Sequence, residues 1–167
     1  PVVPGDEESA EWRLEGARGR GPRLHKSLFL AEGALAGQNR KLQEKYQAME
    51  KEVLVELFDT EDAELVVVAY GSIGRIAKST VRKLRREGLK VGLARPVTLY
   101  PFPSRALRDL EDQGKSFLTI EHNLGQMVED VRLSVCGVAD SALFSVYPGD
   151  LPSPDDFEDP IRQHLGG

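Results

Sequence analysis

The chain has 167 residues, 40% hydrophobic and 29% charged, which is enough for one soluble domain with a packed core. Its net charge of -5 disfavours nucleic acid or an anionic membrane as a partner, and no apolar run reaches the roughly 18 residues of a membrane span. The single cysteine, Cys136, excludes an internal disulfide, suits a reducing cytoplasm, and cannot alone supply the about four thiolates of an iron–sulfur cluster.

The chain opens on Pro1 rather than methionine and reads as a fragment of a longer polypeptide. Residues 1–38 are expected to be a linker, partly disordered, because Gly, Pro and charge dominate up to Arg23. The Arg-Gly tract at 16–23 is short and preceded by Asp6, Glu7 and Glu8, so it reads as linker rather than an RNA-binding segment. Residues 39–52 are expected to form a helix. Leu42, Tyr46, Met49 and Val53 recur on one face, and Lys41, Glu44, Lys45, Glu50 and Lys51 lie on the other.

From Val53 the rhythm alternates between strand and helix, which predicts an α/β domain over 53–147 with a mostly parallel sheet. Val53–Phe58 is a first strand. Leu65–Tyr70, a continuous apolar run, is a strand covered on both faces. Ser72 is placed to cap a helix that Gly88 stops. Leu89–Ala94 is a third strand, followed by a proline-rich loop over Arg95–Pro103 that cannot continue in a sheet. A short helix starts at Ser104. Ser116–Glu121 is a fourth strand, and Asn123 is placed to cap a helix with Leu124, Met127, Val128, Val131 and Val135 as its apolar stripe. Leu143–Val146 is a fifth strand. Residues 148–167 are expected to be an irregular tail with a short helix near Phe157–Leu165.

Ligands of an open parallel sheet meet the loops at the carboxyl ends of its strands. Three such loops stand out. Gly71, Ser72, Ile73 and Gly74 begin a helix, where free amides and the helix dipole favour an anion, although the GK[ST] ending of a phosphate loop is absent. The proline-rich loop carries Arg95, Thr98, Tyr100 and Phe102, a stiff aromatic contact surface. The third loop holds Glu121, His122, Asn123 and Gln126. Glu121 is read as an orienting or interface carboxylate, because no nucleophile, base partner or zinc spacing accompanies it. No catalytic residue and no metal ligand is assigned to this chain.

The stretches Val67-Val68-Ala69-Tyr70-Gly71-Ser72, Leu89 through Pro103 with its RPVTLYPFP, and Glu121-His122-Asn123-Leu124-Gly125-Gln126-Met127-Val128-Glu129-Asp130-Val131-Arg132 resemble one family. That family is the carboxyl-terminal domain of the alpha subunit of 2-oxoacid:ferredoxin oxidoreductases, with the 2-oxoglutarate type favoured. The resemblance covers residues 53–146, and the segment from Asn39 is similar to the family's linker helix. It implies a three-layer α/β/α fold like the transketolase carboxyl-terminal domain. The mixed five-stranded sheet would run in the order 1-3-2-4-5 with the first strand antiparallel. It also implies an enzyme that converts a 2-oxoacid and coenzyme A to acyl-CoA and reduces ferredoxin. Thiamine diphosphate, magnesium and an iron–sulfur cluster would be held elsewhere, by an upstream pyrimidine-binding domain and a beta subunit. On this reading the fragment is inactive alone and serves assembly, and the loops at Gly71 and His122 flank one crevice. The competing reading is a free-standing α/β ligand-binding or signalling module with an anion at the Gly71 helix start.

Overall fold

The computed structural model describes residues 16–22, 27–137 and 139–165. The chain divides into two units, Pro1–Glu44 and Lys45–Gly167. Much of the expected linker, including residues 1–15 and 23–26, lies outside the described residues. Helix α1 spans Ala34–Met49 and runs into one 3-10 turn, Glu50–Glu52. It starts inside the stretch expected to be linker, because Ala34-Leu35-Ala36 are strong helix formers directly after Gly33. None of its residues is buried.

The sheet consists of β1 (Val55–Phe58), β2 (Leu65–Val68), β3 (Val91–Pro96), β4 (Ser116–Glu121) and β5 (Ser141–Ser145). Its order is β1-β3-β2-β4-β5. β1 runs antiparallel to β3, with Val55 opposite Pro96, and every other pairing is parallel. This is the order and the antiparallel first strand that the family resemblance implied.

Side-chain alternation along the strands builds two cores, one on each face. Leu65, Val67, Leu93, Leu118 and Ile120 face helix α2 (Gly71–Arg86) and helix α5 (Glu158–Leu165). Val66, Val68, Ala94 and Phe117 face α3 (Ser104–Glu111) and α4 (Met127–Ser134). α2 buries Ile73, Gly74, Ala77, Thr80, Val81 and Leu84, an unbroken stripe at helical spacing.

The segment after β5 is more ordered than its turn-rich sequence suggests. Pro154–Phe157 forms a 3-10 turn that leads directly into α5. The Asp156 carboxylate accepts hydrogen bonds from the Ser153 amide at 2.7 Å and the Ser153 hydroxyl at 2.9 Å. The Thr80 hydroxyl donates to Pro154 O at 2.7 Å. Phe157 and Ile161 are fully buried in the core beneath α2. Burying such a Phe contributes about 1.5–3 kcal/mol, so this segment is part of the domain rather than an appendage. At the surface Lys83 pairs with Glu158 and Asp155, and these carboxylates raise the Lys83 pKa, Glu158 most.

Candidate functional site

The carboxyl ends of β2, β3 and β4 lie at one edge of the sheet, and each feeds one of the three loops. The loop after β2 is almost absent. Tyr70 occupies the residue before α2, in extended conformation, and no side chain caps the helix. Ser72 therefore does not cap it. It lies within the first turn, exposed, because the helix begins one residue earlier, at Gly71. Gly71 has φ +57°, a conformation that residues with a Cβ rarely adopt. Gly74 has a different reason to be glycine. A Cβ there would lie 2.7 Å from Ala69 O and 3.2 Å from Arg95 Cδ. The Gly74 amide already donates to Tyr70 O at 2.9 Å, so it is not free for an anion.

The loop after β3 is pinned at its start and bare at its middle. Arg95 Nη1 lies 3.0 Å from Glu56 on β1, and Lys78 on α2 bonds the same carboxylate. Lys78 first, and Arg95 after it, hold the Glu56 carboxyl below the ordinary carboxylate range against the opposing effect of burial. Thr98 Oγ1 accepts from the Leu54 amide at 3.0 Å, and Leu54 O accepts from the Val97 and Thr98 amides at 3.0 and 3.1 Å. Arg95 and Pro96, expected at the start of the loop and outside the sheet, are the last two residues of β3 and pair with Glu56 and Val55. Arg95, expected as a contact residue, bonds Glu56 on β1, and Thr98, likewise expected, fastens the loop to Leu54 just before β1. Beyond them Leu99 and Tyr100 stand 47% and 62% exposed. The Tyr100–Pro101 peptide is cis. Phe102 is half-buried and packs onto the core, and Tyr46 meets the Tyr100 ring edge-on at 5.8 Å.

The loop after β4 is organised by Glu121. This side chain is fully buried, and its carboxylate accepts three backbone hydrogen bonds. They come from Gln126 at 3.1 Å, Met127 at 2.8 Å and Val128 at 3.1 Å, which are the open amides at the start of α4. Glu121 is thus an internal cap. It has no exposed surface to offer a neighbour, which corrects its expected place among the contact residues. Asn123, expected to cap α4, makes a local turn by accepting from the Gly125 amide at 2.8 Å, since α4 begins only at Met127. His122 is exposed, with Nε2 3.0 Å from Tyr147 O, and the Gln126 side chain is exposed.

An open groove of about 1220 Å³ lies away from the crevice between Gly71 and His122. It runs from the proline-rich loop across α3 and α4, with Leu99, Tyr100, Phe102, Arg105, Arg108 and Leu133 among its walls. Sequence reasoning missed the helix side of this groove. The signal available was Leu133, a leucine outside the apolar stripe of α4 and 77% exposed in the structure. Among the described residues no group of three or more His, Cys, Asp or Glu is placed to hold a metal, and no helix is long and apolar enough to cross a membrane.

Comparison with known proteins adds a family. The sequence model of pyruvate:ferredoxin oxidoreductase core domain II matches residues 63–157. The chain is 42% identical over 156 residues to ketoisovalerate oxidoreductase subunit VorB of Methanothermobacter marburgensis, covering 93% of this chain and 44% of that one. It is 37% identical over 120 residues to 2-oxoglutarate synthase subunit KorA of Methanocaldococcus jannaschii, covering 71% and 32%. The chain therefore spans less than half the length of these curated relatives. Among solved structures, the 2-oxoglutarate:ferredoxin oxidoreductase of Magnetococcus marinus, with 2-oxoglutarate, coenzyme A and succinyl-CoA bound, superposes with a TM-score of 0.66 at 16% identity, covering 82% of this chain and 24% of that one. A split-gene transketolase gives 0.55 at 16% identity, covering 64% and 39%. Both likenesses are of the fold.

Proposed function

Because the chain belongs to the pyruvate:ferredoxin oxidoreductase core domain II family, a domain of 2-oxoacid:ferredoxin oxidoreductases, we propose that it acts as an assembly domain of such an enzyme. In the whole enzyme a 2-oxoacid and coenzyme A would yield acyl-CoA and carbon dioxide, with electrons passing to ferredoxin. This chain would belong to the alpha subunit. A pyrimidine-binding domain upstream and a beta subunit would hold thiamine diphosphate, magnesium and an iron–sulfur cluster. The residues described here do not fit those groups. Cys136 is the sole thiol against the about four that a cluster needs, and the one buried carboxylate of the loop edge, Glu121, is consumed by backbone amides.

The observation that carries this reading is the proline-rich loop. Arg95, Glu56 and Thr98 fix its base, so Leu99 and Tyr100 are presented with little entropy left to lose on docking. A rigid aromatic rim beside an open groove is what a buried subunit contact needs, and a catalytic site needs more polar chemistry than these loops hold. The relatives favour a branched-chain 2-oxoacid over the 2-oxoglutarate expected from sequence. Identity is 42% over 156 residues with the ketoisovalerate enzyme and 37% over 120 with 2-oxoglutarate synthase.

The test has two parts. The chain alone, supplied with thiamine diphosphate, a 2-oxoacid, coenzyme A and a viologen acceptor, is expected to show no turnover, and turnover would end the assembly reading. In the whole enzyme, Tyr100→Ala with Leu99→Ser is expected to reduce co-elution of the subunits while leaving kcat of the assembled fraction unchanged. Ketoisovalerate is expected to give a higher kcat/KM than 2-oxoglutarate, and the reverse ranking would sink the substrate assignment alone.

A further inference from the structure

The two edges of the sheet differ in how they are protected. β1 carries Glu56, whose charge is tied to Lys78 and Arg95. β5 reads Ser141-Ala142-Leu143-Phe144-Ser145, with no charge, proline or bulge within it. Exposed edges of natural sheets are usually blunted by such devices or covered.

The ladder tells which backbone groups of β5 face outward. Phe117 N donates to Asp140 O at 2.8 Å, and Val146 N donates to Glu121 O at 2.8 Å. In a parallel pair the residues that bond the neighbour alternate along the strand. Asp140, Ala142, Phe144 and Val146 therefore turn their polar groups to β4. Ser141, Leu143 and Ser145 turn theirs away from the sheet, where no backbone partner meets them among the described residues. Leu124 and Tyr147, in the loops that follow β4 and β5, are 67% and 69% exposed.

We infer that the outer edge of β5 is a docking site for β5 of a second copy of this chain, paired antiparallel about a two-fold axis at Leu143. In this register the outward residues meet only outward residues. Ser141 faces Ser145 of the second copy, Leu143 faces its own equivalent, and each such pair exchanges two backbone bonds. Between them Ala142 lies opposite Phe144, small against large. A strand without charge is self-complementary in this way. A copy of β1 on the same edge would bring Glu56 into an uncharged pairing.

Sedimentation velocity of the chain across a concentration series is the direct test, with a reversible monomer–dimer equilibrium expected. Ser145→Pro removes an outward amide and leaves the β4 ladder intact, a placement that edge strands tolerate. It is expected to weaken the dimer roughly tenfold or more, since it deletes one bond on each side of the axis. Ser145→Thr keeps the amide and should keep the dimer. Hydrogen exchange gives a reading without any variant. The amides of Ser141, Leu143 and Ser145 should be protected in concentrated solution and lose protection on dilution, while those of Ala142 and Phe144 stay protected throughout. A chain monomeric at every concentration, a dimer indifferent to Ser145→Pro, or outward amides that exchange fast in the dimer would each overturn the inference.

Discussion

Helices α2 and α4 follow neighbouring parallel strands, β2 and β4, and open at the same edge of the sheet, yet their first turns are built on different chemistry. At α4 three amides converge on the buried carboxylate of Glu121. At α2 no side chain caps the helix, and the turn is made by Gly71 at positive φ and by Gly74 packed against Ala69 O. One start is satisfied by an internal charge, and the other is held by backbone packing from below. Equal positions in the topology therefore do not offer equal sites. The loop at Glu121 has used its donors internally and presents only side chains such as His122 to a neighbour.

Removing the internal charge should be the most damaging way to break this contrast. Glu121→Ala leaves three amides without their acceptor and a void in the core, and an expected loss of about 3–5 kcal/mol follows. Urea denaturation would measure it. Glu121→Gln keeps one carbonyl acceptor and should lose roughly half as much. If Glu121→Ala costs no more than a surface substitution, Glu121 is not what closes the start of α4. Next in size, Gly74→Ala attacks the other helix start. The added Cβ meets backbone at 2.7 Å, which cannot give as a flexible side chain would. Overpacking of about 1–3 kcal/mol outweighs the ~1 kcal/mol gained in helix propensity. A thermal melt at or above that of the parent would show that α2 shifts outward freely.

The sheet was legible because β2 and β4 are apolar runs between glycines and turns and the family resemblance supplied the strand order, while β3 lies two residues later than its apolar run suggested, since the edge pairing with β1 carries Arg95 and Pro96 into the sheet. The boundary of α1 was less legible, since a weakly amphipathic helix with no buried residue leaves no sharp period. The burial of Phe157 and Ile161 was hidden by the prolines around them, which punctuate a local pattern but say nothing of distant packing. At the loop edge, sequence located the right segments and misjudged what their residues do. Asn123 and Ser72 are strong caps by type, and both were displaced. Glu121 reaches the amides from the strand below, five to seven residues away in sequence, a contact no local capping rule contains. Arg95 and Thr98 looked like surface donors because their partners, Glu56 on β1 and Leu54 just before it, lie about forty residues earlier in the chain.

Two smaller effects sharpen the α2 side of the contrast. Gly71→Ala places a Cβ at φ +57° in open space, so only backbone strain of about 1 kcal/mol is expected. The last test concerns what anchors α2 in place of a cap. Lys78, in its second turn, bonds Glu56 on β1, and Arg95 both bonds Glu56 and packs where Gly74 leaves room. The Glu56 carboxyl is held below its ordinary value by Lys78 first and by Arg95 as well. A group whose pKa is depressed by folding contributes stability above its unfolded value, and that contribution fades as pH falls through the folded value. Glu56→Gln should therefore cost under about 1 kcal/mol near neutrality, because the group is partly exposed and solvent screens it. The difference between parent and variant should stay level down to about pH 4.5 and close below it. A gap that persists unchanged in acid would mean that Glu56 supports α2 by packing alone, and that the start of α2 needs no charge at all.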